Sequence, residues 1–244
     1  MPRTALIAAM NEELAALLPA IEGARVEPRG GREFWLGRLA GHEVVAVRSG
    51  IGKVAAAVTA TLLLDHFRAD RVLFLGVAGG IGTAVQVGDV VVADALLQHD
   101  MDASPLFPRH EVPLTGLSRF PVDAGFSDAV ARGAAAALAE HGETAALLGH
   151  GCRVHRGLIV SGDRFVATVG ESRALRALLP DALAVEMEGA AVAQVCHAFG
   201  TPLAVVRSIS DRADDTAHVD FGEFLHRVAA PLGLAIVQHA LAAA

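Results

Sequence analysis

Short runs rich in Val, Ile and Leu alternate along nearly the whole chain with longer Ala- and Leu-rich segments of helical period. That alternation constrains the fold more than any other feature, because strands that are apolar throughout must be covered on both faces, and the intervening helices supply the cover. The predicted strands are "TALIAAM" (4–10), "REFWLGRL", "HEVVAVRS", "RVLFLGVAGGIG", "GDVVVADALLQHD", "HRGLIVSGD", "ALAVEME" and "PLAVVRSISD". The predicted helices follow Asn11, whose side chain is placed to cap an acidic first turn, and the "GIGK" turn. Others run over 127–141, near 170–179 and, after the strand "ALAVEME", to Phe199, with a last one at the C-terminus. Length and the absence of any repeat, low-complexity tract or linker predict one α/β domain, in which a central sheet is flanked by helices. The stretch from Met101 to Asp123 holds four prolines and no period, and a loop that long in a compact domain is usually functional or interfacial.

Composition excludes several classes. With 53% hydrophobic and 19% charged residues the chain is globular rather than disordered. A formal charge of −7 and no cluster of Lys and Arg argue against a nucleic-acid partner. "TALIAAM" is too short for a signal sequence, and the uncharged stretch from Val228 to Ala244 carries Pro231, Gln238 and His239 and falls short of the ~20 apolar residues of a membrane span. Cys152 and Cys196 lack metal-site spacing and cannot build a disulfide framework, so two buried thiols in a reducing compartment are expected. The eleven histidines lack H-x-H or H-x-x-x-H spacing, and no metal or other cofactor is predicted.

Five places carry candidate chemistry. In "SGIGKVAA", Gly50, Gly52 and Ala55 match a dinucleotide-binding fingerprint. The fingerprint also needs an acidic residue at the end of the next strand, and that strand ends in "GVAGG" instead, so a tight turn is the better reading. "GVAGG" itself, with Ala78 and Gly79, lies at a strand's C-terminal end, where open α/β sheets bind ligands. In "AVEMEGAA", Glu186 and Glu188 stand two apart in an apolar stretch and would share one face of a strand. Buried carboxylates need partners, so either a helix-end anion or a ligand-gripping acid would explain each of them. Ser210 and Asp211 end another apolar strand, where Asp211 is either a turn residue or a site acid. Glu13 lies shortly past the first strand and points to the same edge of the sheet.

The stretches "AAMNEEL", "SGIGKVAAA", "GVAGG", "VGDVVVAD", "GLIVSGDRFV", "AVEMEGAAVAQVCH" and "VRSISDRAD", in this order, resemble the bacterial 5′-methylthioadenosine/S-adenosylhomocysteine nucleosidases of the purine nucleoside phosphorylase superfamily. The resemblance runs from Thr4 to about Leu225. It implies the superfamily's three-layer fold, with a mixed, twisted sheet between helices, and hydrolysis of the N-ribosyl bond of 5′-thio-substituted adenosines without a cofactor. It further implies that Glu13 activates water, that Glu188 binds the ribose 2′- and 3′-hydroxyls and that Asp211, oriented by Ser210, helps protonate adenine N7. Phe165 and Val166 would read the base through their backbone. Met10, Ile51, Met187 and Phe221 would pack against the substrate, and Glu186 would join Glu188 on the pocket rim. A cytoplasmic homodimer is implied, with loop 101–123 reaching the partner's site. The loop departs from the family pattern, which leaves the preferred 5′-substituent open, aminofutalosine included. Leu75 and Val77 stand where phosphorylases tend to carry Arg and Ser, which favours water over phosphate, although nucleosidases also commonly have serine where this chain has Val77. A phosphorylase, an oxidoreductase and a non-catalytic nucleoside-binding module are the competing readings; phosphate dependence of base release separates the first, and cofactor-free adenine release would remove the other two.

Overall fold

The computed structural model describes residues 2–142, 149–213 and 224–243. The strands are β1 (Thr4–Ala8), β2 (Glu22–Arg29), β3 (Arg32–Leu39), β4 (His42–Arg48), β5 (Arg71–Gly80), β6 (Val90–Gln98), β7 (Arg119–Pro121), β8 (Val154–Ser161), β9 (Ala182–Glu186) and β10 (Leu203–Asp211). The helices are α1 (Asn11–Leu14), α2 (Lys53–Asp65), α3 (Ala124–Glu140), α4 (Val169–Leu178), α5 (Gly189–Phe199) and α6 (Ala230–Ala242), the last preceded by a π-helical turn at Leu225–Ala229.

All ten strands form one mixed sheet in the order β10-β6-β8-β9-β5-β1-β4-β3-β2, with β7 beside β6. β10 also pairs with β5, so strands β5, β9, β8, β6 and β10 close into a ring, and β1 to β4 extend from it as an open wing. β1 shows why the middle strands are apolar throughout. It is parallel to both β4 and β5, and all five of its residues are buried. Ala5 and Ile7 join the core beneath α2 and α5, whereas Leu6 and Ala8 join the core beneath α3 and α6, which makes three layers. A third cluster, with Leu97, Val160, Leu175 and Val185, packs α4 against the ring.

Several boundaries differ from the sequence expectation. β1 stops at Ala8, and α1 is one turn of four residues capped by Met10 rather than by Asn11. The Glu13 carboxylate accepts the Met10 N–H at 2.9 Å, so an acid expected to serve the pocket also closes the helix start. Beyond a 3₁₀ turn at Leu18–Ala20 the chain enters β2, which pattern reading does not find. β2 is an edge strand bonded only to β3, and its residues are exposed save one, so no apolar alternation marks it. β5 does not turn at its glycines but stays extended through Gly80. α3 begins three residues earlier than expected, because Asp123 caps it by accepting the Phe126 N–H at 2.7 Å. Of the two free thiols, Cys196 is buried but Cys152 is only half-buried. Among the described residues, no helix is long and apolar enough to cross a membrane.

Candidate active site

Strands β5, β9 and β10 bring their C-terminal stretches together, and with α1 and the segment after β8 they enclose a pocket of about 180 Å³. Of the residues singled out in the sequence, Met10, Glu13, Ile51, Ala78, Gly79, Phe165, Val166, Glu186, Met187, Glu188, Ser210 and Asp211 all line it. Phe221 lies outside the described residues. Sequence reasoning does not single out Ala9, Arg164 or Val185, which also line the pocket, although each lies inside one of the quoted motifs.

Glu13 is held from three sides. Its Oε2 accepts the N–H of Ala9 at 2.8 Å as well as that of Met10, and its Oε1 accepts the N–H of Val77 at 3.0 Å. Gly76 permits this approach, since a Cβ there would stand 2.7 Å from Oε1. Burial pushes the Glu13 carboxyl above its ordinary value, against the downward pull of the Arg207 guanidinium and then of the three amides.

Glu186 and Glu188 do not share a strand face. β9 ends at Glu186, and Glu188 is the N-cap of α5, so the two side chains diverge. Glu186 turns inward: its Oε2 receives Arg207 at 2.7 Å and the Gly189 N–H at 2.8 Å, and its Oε1 receives the Ser161 hydroxyl. Ser161 in turn accepts the Ala190 N–H at 2.7 Å. Arg207 is 1% exposed, donates to the carbonyls of Phe74 and Val206 at 3.1 Å, and lies 4.1 Å over the Phe74 ring. Glu186 therefore borders the pocket as the counter-ion of a buried arginine.

Glu188 is also buried, yet a single hydrogen bond to its carboxylate is recorded among the described residues, the Gly52 N–H on Oε1 at 2.8 Å. Burial first, and the neighbouring Glu186 carboxylate next, raise it to about 7; the Gly52 amide and Arg207 oppose them, and Glu13 adds a further push upward. Asp211 sits at the end of β10, where its Oδ2 accepts the Ser210 hydroxyl at 2.7 Å and its Oδ1 the Ala213 N–H at 2.7 Å. The expected Ser210–Asp211 pairing is thus present.

The glycine turn before α2 holds no ligand phosphate in prospect, because its amides already serve protein carboxylates. The Gly52 N–H goes to Glu188, and the Lys53 N–H goes to Asp163 at 2.8 Å. Among the described residues, no three or more His, Cys, Asp or Glu side chains gather as a metal site.

The model of a protein family described as the phosphorylase superfamily matches residues 3–242. Among solved structures, the chain is similar to the 5′-methylthioadenosine/S-adenosylhomocysteine nucleosidase of Neisseria meningitidis in complex with methylthio-immucillin-A. Identity is 36%, the TM-score is 0.87 and the match covers 99% of each chain. It is also similar to the same nucleosidase of Colwellia psychrerythraea in complex with adenine, at 33% identity and a TM-score of 0.90, covering 99% of this chain and 95% of that one. The S-adenosylhomocysteine nucleosidase of Streptococcus pyogenes, in complex with 5-methylthiotubericidin, matches at 32% identity and a TM-score of 0.86, over 98% and 96% of the two chains. With the whole sheet, the pocket at its strand ends and the match of nearly every residue in agreement, the chain belongs to the 5′-methylthioadenosine/S-adenosylhomocysteine nucleosidase family of the phosphorylase superfamily.

Proposed function

We propose that this protein, acting as one catalytic domain, hydrolyses the N-ribosyl bond of 5′-thio-substituted adenosines to adenine and a thioribose. One observation carries the reading: Glu13, Glu188 and Asp211 converge on a single pocket, and among the described residues that line it no cation is left open to hold phosphate. Arg164, the cation on its wall, is paired with Glu171. Leu75 is buried in the core, and the Val77 N–H is engaged by Glu13.

Breaking a ribosyl bond builds positive charge on the sugar and leaves a purine that needs a proton. In this reading Glu13 orients water and accepts its proton, a task suited to a carboxylate whose affinity for protons burial has raised. The open oxygen of Glu188 accepts the ribose hydroxyls, and its ionised form favours the developing cation. Asp211, with Ser210 bonded to Oδ2, delivers the proton to N7. Phe165 and Val166 frame the base, and Met10, Ile51 and Met187 the rest of the substrate.

Ile51 lines the pocket yet is 59% exposed, and Leu106 in the proline-rich loop is 84% exposed. A homodimer in which loop 101–123 covers the partner's pocket would bury both. The two unpaired cysteines favour a reducing, cytoplasmic setting.

The deciding assay follows methylthioadenosine in phosphate-free buffer. Adenine and free methylthioribose are expected, whereas ribose 1-phosphate chemistry or strict phosphate dependence would sink the hydrolytic reading. Asp211→Asn should lower turnover by about 10²- to 10⁴-fold on methylthioadenosine and far less on a nitrophenyl riboside, whose leaving group needs no proton.

A further inference from the structure

Within the turn from Gly50 to Lys53, Lys53 itself takes no part in the chemistry above, yet it is drawn under the surface, with its side chain 16% exposed. Its ammonium donates to Asp100 Oδ1 at 2.7 Å and to Gln98 Oε1 at 3.1 Å, and it stands 3.9 Å from Asp163 Oδ2. Asp163 also accepts the backbone N–H of Lys53 and gives its own N–H to Asp100 Oδ2 at 2.9 Å. Gln98 continues the network by donating to Gln194 of α5 at 2.7 Å. One ammonium therefore joins the start of α2, the end of β6 and the segment after β8, and through Gln98 it reaches α5.

Each of these connections leads into the pocket. Gly52, immediately before Lys53, gives Glu188 its one recorded hydrogen bond. Arg164, Phe165 and Val166, immediately after Asp163, form pocket wall. Glu188 itself caps α5. Asp100 and Asp163 are held against each other by a backbone bond, so without a cation between them their charges repel.

We propose that Lys53 is a positioning residue, whose ammonium, clamped between Asp100 and Asp163, fixes the Gly52 amide against Glu188 and holds the 164–166 wall in register with it. The consequence for catalysis rests on the functional reading above, because it assumes that Glu188 grips the ribose and that the wall frames the base. Loss of the clamp should weaken substrate binding more than it slows bond breaking.

The test combines kinetics on methylthioadenosine with amide exchange of the substrate-free enzyme. Lys53→Met should raise KM by about tenfold or more while kcat changes by less than about threefold, and should speed exchange at the Gly52 amide by about tenfold. Lys53→Arg should restore KM to within about threefold of wild type, and adding Asp100→Asn to Lys53→Met should recover part of the loss by removing the repulsion. Asp163→Asn, which keeps the side chain's shape, serves as the second variant should Lys53→Met fold poorly, and it should raise KM in the same direction. Unchanged KM and unchanged Gly52 exchange would overturn the proposal, as would equal losses in kcat and KM that Lys53→Arg fails to restore. Exchange is read without substrate, so a wild-type enzyme that releases no adenine would sink the functional reading while leaving the clamp itself testable.

Discussion

Glu186 and Glu188 are the same residue type, two positions apart and both buried, but the protein treats them oppositely. Glu186 is answered by an arginine, a hydroxyl and backbone amides, all supplied by the fold. Among the described residues Glu188 is answered by one amide, and its carboxyl is raised to about 7. A buried acid with a full set of partners belongs to the fold, whereas one left short of partners stores an unmet demand that a ligand can satisfy. The contrast therefore predicts which of the two is structural and which is functional.

The largest effect should come from the fully partnered member. Glu186→Gln leaves Arg207 buried without its closest counter-ion, and removal of one partner of a buried pair costs about 3–5 kcal/mol. The urea midpoint should fall accordingly, and replacing both residues by apolar ones of similar volume should recover much of the loss. A wild-type midpoint for Glu186→Gln would erase the distinction drawn here. Glu188→Gln should behave in the opposite way, with stability at neutral pH no lower than wild type and kcat/KM reduced by about 1–3 kcal/mol, the cost of an acceptor lost to the ribose hydroxyls. Near wild-type turnover would reduce Glu188 to a helix-end anion.

A smaller effect is expected from Gly52→Ala. Gly52 has φ +96°, and a Cβ there would lie 3.2 Å from Asp163 Oδ1. Backbone strain of about 1–2 kcal/mol should appear as lower thermal stability, with a rise in KM as the amide shifts from Glu188. An unaltered melting temperature and KM would show that the turn tolerates a side chain.

The subtlest test is in protons. The Glu188 carboxyl titrates at about 7 when folded, against an ordinary value of 4.5. Its contribution favours the folded state fully below about pH 4.5 and is lost as pH rises through about 7. The stability difference between wild type and Glu188→Gln should therefore move against wild type across that window. Ribose hydroxyls favour the ionised carboxylate, so substrate-analogue binding near pH 7 should release protons from wild type and fewer from the variant. Calorimetry in two buffers of different ionisation enthalpy measures the release.

Strand and helix order was legible because the inner strands are buried on both faces, so their apolar runs announce themselves; β1 and β10 are plain cases. β2 was illegible for the same reason inverted, since an exposed edge strand has nothing apolar to display. The pocket acids could be read because Glu13, Glu188 and Asp211 sit at element ends, where a polar residue in an apolar stretch stands out. What could not be read was pairing. Arg207 lies inside an apolar strand, 21 positions from Glu186, and nothing near either residue tells which of the two glutamates it will meet. Nor does "GIGK" disclose that its lysine is spent on Asp100.

β10 is the last strand of the sheet to be synthesised, yet it takes its place between β5 and β6, strands completed more than a hundred residues earlier. A ribosome-bound chain can thus pair β1 to β4 early, but it must keep the seam between β5 and β6 unzipped. Until Arg207 arrives on β10, Glu13 and Glu186 have no cation to share, and until Asp211 arrives the pocket lacks its acid. Nascent chains should consequently show no enzymatic activity and an open apolar seam for most of their synthesis.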